Sequence, residues 1–247
     1  LSSFLFLLKS RALSNFVNMT ESSIYCIIVA AGSGSRFGSE LPKQFCELNG
    51  KPVLMHTIAG IRNGCPDVKI VLVLNRKHQD LWQDLCSRHN FMSPDVRFGG
   101  ATRWESVKNA LSDINLPHNR KSIVMVHDGA RPIVKPELLH RIIEAAADAT
   151  GVIPVIPVSD SLRMISDDGR SVPVDRGLFR AVQTPQAFDG QLLLDAYKLP
   201  YRDTFTDDAS VMAAAGYPDI KLVDGDPCNI KITLPYDLKI ASLYIDR

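Results

Sequence analysis

The sequence predicts an α/β fold: a mostly parallel sheet with helices packed on both faces. Three observations carry that expectation. Apolar runs alternate with amphipathic stretches along most of the 247 residues, the rhythm of strand–helix–strand units. The apolar runs, such as "IYCIIV" from Ile24 and "VKIVLVL" from Val68, lack polar alternation and suit strands buried on both faces. Polar, glycine-bearing clusters follow several of these runs, where open α/β sheets gather their ligands.

The elements follow in order. "IYCIIV" is the first strand, and it feeds the glycine-rich stretch "VAAGSGSRFGSELPKQF" from Val29. "KPVLMHTIAGIRN" reads as a helix with Pro52 in its first turn. "VKIVLVL" is a strand, "HQDLWQDLCSRH" a helix, "VRFGG" a short strand and "ATRWESVKNALSDI" a helix. "SIVMVHD" is a buried strand, "KPELLHRIIEAAADA" an amphipathic helix and "TGVIPVIPV" a strand. The arrangement is Rossmann-like.

The rhythm breaks near residue 157. Between there and about residue 180, short alternating stretches surround Asp168-Gly169, a hairpin signal with no place in a parallel sheet. The hairpin is expected to project as an arm. Its apolar Leu162, Met164 and Val172 ask for a partner, most economically a second copy of the chain; folding back over its own site is the alternative. Afterwards come a helix at "DGQLLLDAYKL", a helix capped by Thr206 or Asp207 in "TDDASVMAAAG", a strand at "IKLVDG" and a last helix at "LPYDLKIASLYI".

Composition bounds the function. Hydrophobic residues at 45% and charged residues at 22% are ordinary globular values. A formal net charge of +1 gives no electrostatic case for nucleic acid or an acidic membrane. The five cysteines are scattered and form no C-x-x-C pair, which speaks for a reducing compartment, the cytoplasm, and against structural zinc. Residues 1–18, "LSSFLFLLKSRALSNFVN", precede the first methionine, Met19. They read as a dispensable extension or a misplaced translation start, with a targeting peptide as the lesser alternative, and residues 19–247 as a single domain.

The glycine-rich stretch suits phosphate but is none of the common loops. It lacks the Lys-Ser/Thr ending of a Walker loop. As a dinucleotide fingerprint, Gly32-Ser33-Gly34 has its third glycine displaced to Gly38, and the next strand ends in Asn75-Arg76-Lys77 rather than an acid. A nicotinamide dehydrogenase is therefore disfavoured. What the loop does offer is Arg36 and Lys43 beside flexible backbone, suited to a polyphosphate whose charge changes during reaction.

Further clusters converge on the same strand ends. "HDGARP" brings Asp128, a candidate for a divalent cation or its water, with Gly129 allowing close approach and Arg131 able to bridge phosphate oxygens. An Asp128–Arg131 structural ion pair is the alternative; His127 is expected to face the packed side. "GGATRWES" adds Gly100, Arg103 and Ser106, either a base-binding wall or a plain helix start. Ser161, Arg176 and Thr184 flank the hairpin, and "NIKIT" supplies Lys231 and Thr233, a set that a second phosphorylated substrate would need.

Taken together, "AAGSGSRF…PKQF", "HDGARP", "DR…QTPQAF", "TDDAS" and "NIKIT" resemble the 2-C-methyl-D-erythritol 4-phosphate cytidylyltransferase family, from about Ile24 to Arg247. The resemblance implies transfer of CMP from CTP to methylerythritol phosphate with magnesium, by a homodimer. It implies that Arg36, Lys43, Lys231 and Arg176 are catalytic. Ala30, Ala31, Gly32, Gly34, Gly100, Arg103, Ser106 and Asp128 would bind nucleotide, Asp128 beside the metal. Gly129, Arg131, Ser161, Arg176, Thr184 and Lys231 would hold the acceptor, with Ser161 and Arg176 reaching a partner's site on the arm. Ser161 stands where threonine is usual and Gly129 where alanine is also common. The rival readings are a ribitol 5-phosphate cytidylyltransferase and a non-catalytic nucleotide-binding subunit.

Overall fold

A computed structural model describes residues 23–32, 37, 41–117 and 120–245. The leading extension, Gly34 and Arg36 lie outside the described residues.

Strand β1 (Ser23–Ala30) sits inside the main sheet and pairs in parallel with β4 (Lys69–Leu74) and β6 (Ser122–Asp128). Its side chains divide between two cores by strict alternation. Cys26, Ile28 and Ala30 join Leu54, Met55, Ile58 and Ile61 of α1 (Val53–Gly64), Trp82 of α2 (Gln79–Arg88) and the Leu138/Leu139/Ile142 stripe of α4 (Pro136–Ala146). Tyr25 and Ile27 join Trp104, Val107 and Leu111 of α3 (Arg103–Ser112), Leu193 of α5 (Gly190–Ala196) and Val211 and Met212 of α6 (Asp208–Ala214). Ile27 and Ile28 are both fully buried, so truncating either to alanine would cost about 2–5 kcal/mol. Helices thus cover both faces, as the apolar runs predict.

The chain leaves β1, builds β4 and then β5 (Asp95–Phe98) on one side, and returns to β6 on the other. This reversal opens a crevice at the carboxyl ends of β1 and β6, the place where such sheets bind ligands. Val29 and Asp128 are register partners at the end of that β1–β6 ladder.

Beyond β6 the sheet is mixed. β11 (Gln186–Asp189) runs antiparallel to both β6 and β7 (Gly151–Pro157), and β10 (Arg180–Val182) runs antiparallel to β7. β12 (Ile220–Asp224) is again parallel to β7. The sequence reading contained neither β10 nor β11. Pairing along β7 changes offset between Val182, opposite Val155, and Ala187, opposite Val152. Gln183 still donates its amide to the Pro154 carbonyl at 2.8 Å and Gln186 faces Val126 of β6, so Thr184 and Pro185, joined by a cis bond, form the bulge.

Two smaller expectations need adjustment. Pro52 is the residue before helix α1, paired with Glu47 in a two-strand ladder of β2 (Glu47–Leu48) and β3 (Lys51–Pro52), rather than part of its first turn. Asp207, not Thr206, caps α6, through a reciprocal bond set with Ser210.

The hairpin around Asp168-Gly169 is a separate two-stranded sheet, β8 (Leu162–Ile165) with β9 (Ser171–Val174). Gly169 takes φ +79° in its turn, a backbone glycine adopts at little cost. Met164, Ile165 and Val172 are 61%, 65% and 50% exposed. The last helix, α7 (Pro235–Ile245), buries Ala241 in a third cluster with Phe37, Val53, Ile133 and Ile232.

Candidate active site

Two cavities open on the crevice. The larger, of about 470 Å³, is walled by the end of β1 (Ala30, Ala31, Gly32), by Lys43 and Gln44, and by Gly100, Thr102 and Ser106 before and within α3. The smaller, of about 270 Å³, is walled by Arg131, by Gln183 and Thr184 at the bulge, and by Thr206 and Asp207 before α6. Arg103, Asp128 and Lys231 line both.

The wall of the larger cavity is built by local chemistry. A 3-10 turn, Lys43–Phe45, follows Pro42 and drives Phe45 into the core. Within this turn the buried Gln44 donates its Nε2 to the carbonyls of Ala30 and Gly32 at 2.8 and 3.1 Å. The exit of β1 is thereby tied to the segment that presents Lys43. On the opposite wall, Thr102 caps α3 and Glu105 reaches back to the amides of Ala101 and Thr102. A side chain at Gly99 would meet Ser106 Oγ at 2.6 Å, and one at Gly100 would meet Glu105 Cβ at 2.4 Å. The two glycines are needed for close packing of this loop on its own helix.

Asp128 stands at the junction. Its carboxylate faces Lys231 Nζ at 2.8 Å, Arg131 Nε at 3.5 Å and Arg103 Nε at 3.6 Å. Burial alone would raise its pKa; the three cations more than offset that and hold it well below the usual carboxylate range. It is ionised, and it holds the three cations together at the junction of the two cavities. The Asp128–Arg131 ion pair is present, and both side chains line the smaller cavity.

The strand end is locked from behind by His127. Burial pushes its pKa down to about 4, so the ring is neutral near pH 7. Nε2 lies 3.2 Å from the Arg131 carbonyl and Nδ1 lies 2.9 Å from Thr184 Oγ1. A carbonyl only accepts, so Nε2 carries the proton and the Thr184 hydroxyl donates to Nδ1. Thr184 also accepts from the Asp128 amide at 3.1 Å. His127 therefore faces the packed side, and it fixes Thr184 while doing so. Asn229 completes the lock, donating Nδ2 to the Thr184 carbonyl at 2.8 Å while its own carbonyl accepts from Arg131 Nη1 at 2.7 Å.

The residues singled out in the sequence divide clearly. Ala30, Ala31, Gly32, Lys43, Gly100, Arg103, Ser106, Asp128, Arg131, Thr184 and Lys231 line one or both cavities. Gly129 packs its backbone on β1, with its amide donating to the Val29 carbonyl at 2.9 Å, and lines neither. Ser161 and Arg176 are exposed and line neither; Arg176 donates to the Ser159 carbonyl within the arm. Thr233 donates to the Lys231 carbonyl and steadies that loop. Sequence reading passed over Gln44, although it stands inside "PKQF", and gave Asp208 no part in the site.

Comparison with known proteins places the chain in a family. The family described as 2-C-methyl-D-erythritol 4-phosphate cytidylyltransferase, IspD, matches residues 24–247. A protein of that name from Bacteroides thetaiotaomicron is 48% identical over 217 residues, 87% of this chain and 96% of the relative. Another from Bacteroides fragilis is 46% identical over 217 residues, with the same coverage. The crystal structure of 4-diphosphocytidyl-2C-methyl-D-erythritol synthase from Anaerococcus prevotii superposes with a TM-score of 0.76 at 26% identity, covering 94% of this chain and 99% of that one. The chain belongs to the 2-C-methyl-D-erythritol 4-phosphate cytidylyltransferase family.

Proposed function

We propose that this enzyme transfers CMP from CTP to 2-C-methyl-D-erythritol 4-phosphate, releasing pyrophosphate, in non-mevalonate isoprenoid precursor synthesis. One observation carries the reading: two cavities that share Arg103, Asp128 and Lys231, as two anions brought end to end require. The larger cavity takes CTP, its base against Ala30, Ala31, Gly32, Gly100 and Ser106 and its triphosphate towards Lys43; the family resemblance adds Arg36, outside the described residues, as a second cation. The smaller takes the acceptor, whose phosphate is an anionic nucleophile at neutral pH and needs no general base. Lys231 and Arg131 neutralise the repulsion between the two anions, and Lys43 stabilises charge developing at the attacked phosphate.

Asp128 fits magnesium. Among the described residues it is the one carboxylate lining both cavities, and magnesium beside phosphates is held by one or two carboxylates, with substrate and water completing its shell. Among the described residues no cluster of three or more His, Cys, Asp or Glu offers a larger site. When bound there, the ion would neutralise phosphate charge. Asp128 itself holds Lys231 and Arg131 in place.

The arm supplies what the cavities lack. Ser161 and Arg176 serve the acceptor site of a second subunit, and the exposed Met164, Ile165 and Val172 are covered in a homodimer. The five free thiols suit a reducing, cytoplasmic setting, and no helix among the described residues is long and apolar enough to cross a membrane.

The test is pyrophosphate release with magnesium, CTP and either methylerythritol phosphate or ribitol 5-phosphate, with ATP and UTP as controls. Release confined to CTP and methylerythritol phosphate is expected. Preference for ribitol 5-phosphate would keep the chemistry and change the substrate. No release despite CTP binding to folded protein would leave only a binding subunit.

A further inference from the structure

Of the two acids that open α6, Asp207 is the cap. Asp208 is fully buried, and its carboxylate bonds run elsewhere. Both of its oxygens accept from Arg103, Oδ1 from Nη1 at 3.0 Å and Oδ2 from Nη2 at 2.6 Å. Oδ1 also accepts from the Tyr197 hydroxyl at 2.6 Å. The Tyr197 ring stacks on Trp104, the neighbour of Arg103, with centroids 5.8 Å apart and planes 19° apart.

These contacts join two walls. Arg103 opens α3, and the loop before α3 is the wall of the CTP cavity. Asp208 opens α6, and Thr206 and Asp207 before it are the wall of the acceptor cavity. Gln186 braces the second wall, donating Nε2 to Asp207 Oδ2 at 2.8 Å and accepting the Ala209 amide at 3.1 Å. The planar guanidinium paired through both terminal nitrogens has a fixed direction, leaving its Nε towards Asp128. Arg131 and Lys231 have Asp128 as their only acidic partner among the described residues; Arg103 alone among the three cations has a second.

We propose that Asp208 and Tyr197 are positioning residues for the transfer: through Arg103 they fix the separation between the nucleotide wall and the acceptor wall. The inference rests on the functional reading above. Alignment of the two phosphates depends on that separation, and a misplacement of about 1 Å can cost about 100-fold in rate. Binding of CTP alone depends on one wall and should be spared.

The experiment is a kinetic cycle on Asp208→Asn, Arg103→Lys, the double variant and Tyr197→Phe, with CTP affinity measured in the absence of acceptor and Tm recorded for each. Asp208→Asn and Arg103→Lys are expected to lower kcat about 100-fold, with the CTP Kd of Asp208→Asn within about threefold of wild type. The double variant is expected to be no slower than the worse single, because one interaction is lost in all three. Tyr197→Phe, which removes one hydrogen bond and keeps the stacked ring, is expected to lower kcat about two- to tenfold. Additive penalties, or a loss confined to CTP affinity, would overturn the inference. Should Asp208→Asn fail to fold, Tyr197→Phe decides: a lowered Tm with wild-type kcat would reduce the pair to scaffolding. A wild-type protein without CTP-dependent release overturns the functional reading itself, whereas an active wild type with additive penalties overturns only this tie.

Discussion

The crevice and the arm use the same residue types under opposite conditions. Asp128 in the crevice and Asp168 in the arm are both held by arginine, yet the Asp128 side chain is 11% exposed while that of Asp168 stands 48% exposed beside an 87% exposed Arg170 side chain. In the crevice each charge is fixed by strands, caps and buried hydrogen bonds. In the arm the charges hold one turn together, and its apolar residues face outwards. The crevice holds its charges against one another inside the chain, whereas the arm presents Met164, Ile165 and Val172 to solvent. A buried ion network sets geometry, while an exposed ion pair contributes little.

The contrast is tested hardest at Lys43. Lys43→Ala should lower kcat about 100- to 1000-fold while CTP binding, measured by calorimetry, changes little. Near-normal turnover would remove Lys43 from the chemistry.

The next largest effect concerns His127, neutral because it is buried. Its pKa is depressed to about 4 from about 6.5 in an unfolded chain, so the unfolded state takes up the proton first. The stability this contributes is complete above about pH 6.5 and is lost as pH falls towards 4, by about 3 kcal/mol in all. Urea unfolding between these pH values should show that slope in wild type and a flatter one in His127→Gln. Equal slopes would show that another group carries the pH dependence.

The arm is expected to act across subunits. Inactive Arg176→Ala mixed with inactive Lys43→Ala should regain about a quarter of wild-type activity, since half of the dimers would be mixed and each would own one intact site. Met164→Asp with Val172→Asp, a directly facing pair, should halve the mass in sedimentation and abolish that recovery. No recovery after proven subunit exchange would separate the arm from the site. The smallest effect is expected at the arm's tip, where Asp168→Asn should leave Tm and turnover unchanged; a clear loss of either would mean the exposed pair is covered in the working enzyme.

The sequence makes the strands, the helices and the polar clusters at their ends legible, because each depends on local period or local capping. Asp128, Lys43 and Lys231 can be named from position alone. What stayed hidden depends on contacts between distant residues. Arg103 and Asp208 stand 105 positions apart, and only the fold makes them partners. β10 and β11 are short and interrupted by the bulge at Thr184-Pro185, so no alternating pattern announces them. Gln44 was visible in its motif, yet its two carbonyl partners, Ala30 and Gly32, belong to a strand end whose course the motif does not show.

The facing of Val29 and Asp128 across β1 and β6 has a consequence for how this enzyme tolerates change. Successive residues of a strand point to opposite faces, so a slip of one place between these strands would exchange His127 with Asp128, bringing a neutral ring to the phosphates and a bare charge into the core. In the crevice the bonds of Thr184 to His127 and to the Asp128 amide, and of the Gly129 amide to the Val29 carbonyl, hold the register at the strand end alone. The safeguard is the apolar filling along the strands, from Tyr25 to Ile28 and from Ile123 to Val126, which fits the helices in one alignment only. Accuracy of the chemistry is thus inherited from residues that never meet a substrate, and damage there would surface as a misassembled enzyme rather than a slow one.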